Sequence, residues 1–180
     1  MIPPFPYPTL FRSGQDIAAS IVKELAHEAL ATRSRLSELD TQLAETLDRH
    51  PDAALVRSLP GMGATLTAEF LAIASGINRF PTGDQLACAA GLAPILKQSG
   101  KVSYQQRATG GDRTLKRIFY QSAFCALQRD PASRAFYDRK RAEGKRHHQC
   151  LIALARRRIN VLHAILRNRQ PYNIDHARNA

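Results

Sequence analysis

Apolar residues recur along the first part of the chain at Ile17, Ile21, Leu25, Ala29, Leu36, Leu39, Leu43 and Leu47, with charged residues between them. Spacings near three and four, unbroken by glycine or proline after Gly14, predict one long helix over residues 13–50. The stripe is narrow, like a coiled-coil seam, so the helix needs a partner: a second copy or another part of a complex. Folding back onto the carboxy-terminal helices is the other use of the same stripe. Residues 1–12 are interrupted by four prolines and are expected to be a stiff, disordered lead.

The pattern changes at His50-Pro51-Asp52. From Leu55 to Ala72 the chain reads LVRSLPGMGATLTAEFLA, a helix that stops at Pro60, passes Gly61-Met62-Gly63 and resumes. Two glycines around one apolar residue permit a tight turn and leave its amides unobstructed. Those amides open the next helix, where the dipole favours an anion. This is a helix-hairpin-helix grip on phosphate; the plainer reading is a turn between helices, for which one glycine usually suffices.

Phe80-Pro81 ends the next segment, and Thr82 with Gln85 resembles a capping box opening a short helix through Ala90, closed by Gly91. Residues 92–112 hold Pro94, Gly100, Gly110 and Gly111 without helical period, predicting a long loop with a short extended piece at residues 102–105. A helix is expected over residues 113–129, with Leu115, Ile118, Phe119, Ser122 and Ala126 on one face. Asp130-Pro131 starts another that Gly144 ends. The last covers residues 146–168, with Leu151, Leu154, Ala155, Ile159, Leu162, Ile165 and Leu166 inward, before Pro171. The expected fold is all-α: the long helix, a compact helical domain over 51–170 and a tail over 171–180.

Composition sharpens this picture mainly through charge. The formal net charge is +11, and residues 101–180 hold eighteen Lys/Arg against five Asp/Glu. A cationic block on a near-neutral scaffold suits a polyanion, so nucleic acid is the expected partner. No apolar run approaches the ~20 residues of a membrane span. The amino-terminal segment lacks a cationic lead and does not resemble a secretory signal. Cys88, Cys125 and Cys150 are widely spaced within helical patterns, which suggests reduced, buried thiols in a cytoplasmic protein. No ligand spacing supports a metal site, and His147-His148 belongs to a basic run.

Gly61 and Gly63 are candidates for phosphate binding through backbone amides. Arg113, Lys116 and Arg117 crowd the start of a helix, where the dipole disfavours cations. An anion among them, approached through Gly110-Gly111, would relieve that repulsion; uncompensated surface strain is the alternative. Tyr137, Arg139, Lys140, Arg141, Lys145 and Arg146, with Arg156-Arg157-Arg158, could line a backbone track, although consecutive arginines on a helix cannot share one face. In Lys97-Gln98-Ser99-Gly100-Lys101 a hydroxyl flanked by two lysines could attack a phosphodiester. No Ser-His-Asp spacing supports that chemistry.

The blocks SLPGMGATLTAEFLA, FPTGDQLACAAGLAP, KQSGK, GGDRTLKRIFYQSAF, DPASRAFYDRKRAEGK and LIALARRRINVLHAILR, in this order over residues 55–168, resemble the C-terminal domain of insertion-sequence-110-type transposases. The resemblance implies DNA recombination guided by a structured RNA, with the serine of a Ser-Gly pair attacking the DNA backbone. That motif falls on Ser99-Gly100, so Ser99 is the implied nucleophile, with Lys97, Gly100 and Lys101 beside it at the DNA. In the family a magnesium-dependent nuclease domain precedes a coiled-coil helix and this domain. Here the chain enters the helix directly, and its acids (Asp16, Glu24, Glu28, Glu38, Asp40, Glu45 and Asp48) lie along a helix surface instead of converging on metals. The expectation is therefore a truncated transposase with no cofactor of its own. It would bind DNA, with a guide RNA as an open further partner, and pair through residues 13–50 with a second copy or a full-length transposase. Alone it is expected not to cut. Gly111-Asp112-Arg113 departs from the family's Gly-Asn-Arg, and the acid weakens any phosphate site beside it. A non-enzymatic helix-hairpin-helix scaffold for DNA or RNA is the alternative, with no use for Ser99.

Overall fold

The computed structural model describes residues 7–99, 102–106 and 110–173, with backbone alone for residues 7–13, 95–99 and 102–106. By its contacts the chain divides into two units, Met1–Ala44 and Glu45–Ala180. The first helix, α1, spans Tyr7–Asp48, so residues 7–12 are helical instead of a disordered lead. At ~1.5 Å per residue it is about 63 Å long. Its apolar stripe is exposed at Ile17, Ile21, Leu25, Leu36 and Leu39, and Val22 and Leu30 are exposed beside it.

The second unit is built from α2 (Ala53–Ser58), α3 (Ala64–Ala74), a 3-10 turn at Ile77–Arg79, α4 (Gly83–Ala89), strands β1 (Ile95–Ser99) and β2 (Val102–Gln106), α5 (Arg113–Ala126), α6 (Pro131–Ala142) and α7 (His147–Asn168). Local chemistry sets several boundaries. The Thr82 hydroxyl accepts the Gln85 N–H at 3.3 Å to open α4. Asp130 accepts the Ser133 N–H at 3.1 Å to open α6, with Pro131 in the first turn where a missing N–H costs nothing. Arg169, in left-handed backbone, closes α7.

α7 is the central element, packing against α2, α4, α5 and α6. Leu151, Leu154, Ala155, Ile159, Leu162, Ile165 and Leu166 are buried on it, as the sequence period predicts. Val56, Leu59, Phe70, Leu86, Ile118 and Phe119 fill the space around it, with Phe70 and Phe119 edge-to-face at 5.8 Å. Each such aliphatic or aromatic burial contributes about 1.5–3 kcal/mol. Of the cysteines only Cys150 is buried; Cys125 is half-buried and Cys88 exposed, which corrects the expectation of three buried thiols.

The fold is helical as expected, with one difference inside the segment read as a loop. β1 and β2 pair antiparallel in the register Ile95↔Gln106, Lys97↔Tyr104 and Ser99↔Val102. The feet of this hairpin meet where Gly91 and Gly111, both at positive φ, touch backbone to backbone. A Cβ on Gly111 would come within 2.4 Å of the Gly91 nitrogen, and the Asp112 N–H donates to the Ala89 carbonyl at 2.7 Å. Both contacts join residues distant in sequence, so local pattern did not reveal them.

Candidate nucleic-acid interface

The turn between α2 and α3 uses its two glycines differently. Gly61 sits at φ +84°, and a Cβ there would lie 2.4 Å from the Ser122 carbonyl oxygen and 3.0 Å from the Ala126 nitrogen. Its lack of a side chain therefore serves the approach of the turn to α5. Met62 is buried beside it, its N–H donating to the Leu59 carbonyl at 3.0 Å. Gly63 has ordinary φ, nothing crowds it, and it is exposed. It opens α3 with no side-chain cap and no acidic residue in the first turn. The start of α3 thus keeps the amide-rich, partly positive character that favours an anion.

The start of α5 is arranged otherwise. Asp112 accepts the Thr114 and Leu115 N–H groups at 2.7 and 2.9 Å, so a carboxylate of the chain itself occupies those amides. Gly110 and Gly111 lie against Gly91. Both are exposed, and a Cβ on Gly110 would meet nothing within 4 Å. Arg117 is committed to Glu69 on α3 at 2.7 Å. Arg113 is exposed and Lys116 half-buried, and neither side chain is hydrogen-bonded or ion-paired among the described residues. Gly61 packs at Ser122–Ala126, nine to thirteen residues beyond Arg113, which places the two features roughly 14–20 Å apart along α5. They are separate contacts, not one pocket.

The arginine triplet on α7 spreads over different surroundings. Arg156 pairs with Asp84 and donates to Asn160 at 2.7 Å. Arg157 lies over the Phe136 ring, 5.2 Å from its centre. Arg158 is only 3% exposed. Its guanidinium donates to Ser122 Oγ at 3.2 and 2.8 Å, to Ser133 Oγ at 3.5 Å and to the Pro60 carbonyl. Burial pushes its pKa down to about 10, opposed by the charge of Asp130, so it remains a cation at neutral pH. Asp130 also accepts the Tyr172 hydroxyl at 3.3 Å. Burial and Asp130 together raise the Tyr172 phenol to about 12. Sequence reading grouped Arg158 with Arg156 and Arg157 as candidates for a backbone track, though not on one face; its position four residues from both Leu154 and Leu162 was the available sign that it is the one facing inward.

The basic group on α6 and the following turn is partly neutralised. Glu143 holds Lys140 at 2.8 Å and Lys145 at 3.1 Å, and their hydrogen bonds lower its pKa. Arg134 pairs with Asp138 at 3.0 Å, which raises the arginine pKa further. Arg141 donates to the Lys145 carbonyl at 2.8 Å, and Tyr137 and His147 share a hydrogen bond of 2.7 Å. Such pairs leave fewer cations for a ligand than the sequence count suggests.

Ser99 ends β1 and pairs with Val102, so it stands beside the tip of the hairpin, and Lys97 occupies the alternate position on the same strand. The Ser99 and Lys97 side chains, and the whole of Gly100 and Lys101, lie outside the described residues. Among the described residues no group of three His, Cys, Asp or Glu side chains could hold a metal ion. No helix among them is long and apolar enough to cross a membrane.

The family model described as transposase IS116/IS110/IS902 family matches residues 53–138, from α2 into α6. A 42 kDa protein of insertion element IS900 from Mycobacterium paratuberculosis is 45% identical over 162 residues, covering 89% of this chain and 41% of that protein. A 43.6 kDa protein of insertion element IS110 from Streptomyces coelicolor is 42% identical over 149 residues, 82% of this chain and 37% of that protein. A pilin gene-inverting protein of Moraxella lacunata is 26% identical over 170 residues, 90% of this chain and 53% of that protein. The chain thus spans about two fifths of the length of the first two of these curated relatives.

Proposed function

We propose, from the match of residues 53–138 to the transposase IS116/IS110/IS902 family, that the chain binds DNA and contributes the attacking serine of a DNA recombination reaction. The observation that carries this reading is the placement of Ser99. It ends a strand at the tip of a hairpin whose feet are pinned to the helical body by the Gly91–Gly111 contact. The uncapped start of α3 at Gly63 and the cations Arg113 and Lys116 supply backbone contacts on that body. Lys97 and Lys101 flank Ser99 in sequence and offset phosphate charge.

In the proposed step the Ser99 hydroxyl oxygen forms a bond to a DNA phosphorus while one bond from that phosphorus to a deoxyribose oxygen breaks. The hydroxyl releases its proton, the departing sugar oxygen takes one up, and no oxidation occurs. The phosphoserine ester conserves the strand for rejoining. The names of the relatives fit: insertion elements move DNA, and a pilin gene-inverting protein inverts it. Metal chemistry belongs to a nuclease domain acting on the same DNA, and a structured RNA is the guide. The exposed stripe of α1 pairs with a second copy or with a longer transposase. The reaction takes place with DNA in the cytoplasm.

The test mixes the chain with the metal-nuclease domain of a relative, magnesium and labelled duplex DNA. A denaturation-resistant protein–DNA adduct is expected with the parent and none with Ser99→Ala, while both bind duplex equally and weaken steeply with salt. The chain without the nuclease domain should bind and give no adduct. Equal adduct from Ser99→Ala overturns the assignment of the nucleophile and favours the scaffold reading.

A further inference from the structure

The least economical residue in the core is Arg158. A buried guanidinium is costly in lost hydration unless its donors are met, and an apolar side chain at such a site is often as stable or more so. Position 158 lies between Leu154 and Leu162 on the inward face of α7, where an apolar residue would continue the stripe. The network around the arginine is therefore better explained by what it positions.

Its backbone acceptor is the Pro60 carbonyl, at the first residue of the glycine turn. Its side-chain acceptors are Ser122 on α5 and Ser133 on α6. Ser122 serves twice, since its carbonyl oxygen is the atom against which Gly61 packs. A second tether lies just ahead of the turn, where Ser58 Oγ accepts the Tyr172 N–H at 2.9 Å. The Tyr172 hydroxyl returns to Asp130, whose carboxylate charge favours the arginine cation. The turn is thus tied through Arg158 to three helices and through Tyr172 to the segment that follows α7.

We propose that Arg158 is a positioning residue: without touching nucleic acid, it fixes the Pro60–Gly63 turn so that the first amides of α3 point at a DNA phosphate. This rests on reading that turn as a phosphate contact, and the experiment separates failure of the two. The full chain, labelled for amide NMR, is titrated with a short mixed-sequence duplex, and Arg158→Lys is compared with the parent. A lysine keeps the charge but cannot span acceptors on three elements.

For the variant, the Met62 amide should exchange faster while α7 amides keep their protection. Duplex affinity should fall about tenfold. The slope of log affinity against log salt should not change, because a buried cation displaces no counterions from DNA. The Gly63 and Ala64 amide shifts induced by duplex in the parent should be lost, and those of Arg113 and Lys116 should remain. Unchanged affinity and unchanged Gly63 shifts in a folded Arg158→Lys variant overturn the positioning role. A shallower salt slope also overturns it, since Arg158 would then touch phosphate itself. If the parent shows no shift at Gly63 or Ala64, the phosphate reading of the turn fails, whatever the variant does. Should Arg158→Lys not fold, Ser122→Ala removes one acceptor and is held to the same outcomes.

Discussion

Gly61 and Gly63 look equivalent in the chain and are not equivalent in the fold. Alanine at 61 would adopt a left-handed φ and push into the α5 backbone, so Gly61→Ala is expected to destabilise by about 2–4 kcal/mol in denaturant unfolding. Alanine at 63 meets nothing, and its cost should stay below about 1 kcal/mol, that of a poorer helix start. If the Gly63 amide faces phosphate, Gly63→Ala should weaken duplex binding without lowering the unfolding midpoint appreciably. A midpoint loss as large as that of Gly61→Ala would contradict the division of roles. The motif itself was legible in sequence. The division was not, because the reason for Gly61 lies on a helix about sixty residues later, at Ser122 and Ala126. Arg158 hid for a related reason: flanked by Arg156 and Arg157 it reads as surface, and only its buried acceptors reveal otherwise.

At the level of elements, the helices of the second unit were legible from their apolar periods, and α4 and α6 also from their start signals, Thr82 and Asp130-Pro131. Of the β-hairpin only the extended piece at 102–105, which lies in β2, was legible; β1 and the pairing depend on partners across the turn and on the Gly91–Gly111 contact at its base. The start of α5 joins both lessons. Asp112 caps the helix well and at the same time places a negative charge next to Arg113 and Lys116. Asparagine caps about as well as aspartate. Asp112→Asn should therefore change stability by less than about 0.5 kcal/mol and raise duplex affinity about two- to threefold at low salt, the gain fading as salt increases. Binding titrations at two salt concentrations check this, and a drop in affinity would remove the start of α5 from the interface.

For the molecule as a whole, the count of 26 Lys and Arg overstates the cations free to meet a ligand, since Arg117, Arg134, Lys140, Lys145, Arg156 and Arg169 all have acidic partners. The electrostatic signature expected at the global scale is alkaline. Tyr172, raised to about 12 in the fold against 10.0 for the free phenol, contributes stability that is complete below pH 10.0 and lost as pH climbs toward about 12. Arg158, lowered to about 10, acts in the opposite sense, so the comparison must be made against Tyr172→Phe, which keeps the arginine. The parent should exceed that variant by about 0.5–1.5 kcal/mol near neutrality, the worth of one hydrogen bond, and the margin should shrink across this window. A margin independent of alkaline pH would exclude the coupling to Asp130. The paired glycines at the base of the hairpin carry a consequence for descent. With both ends of the excursion held together by the body, its intervening length can drift or be exchanged between lineages at little entropic cost to the rest. Reaction chemistry can then diverge while the architecture that carries it is inherited unchanged.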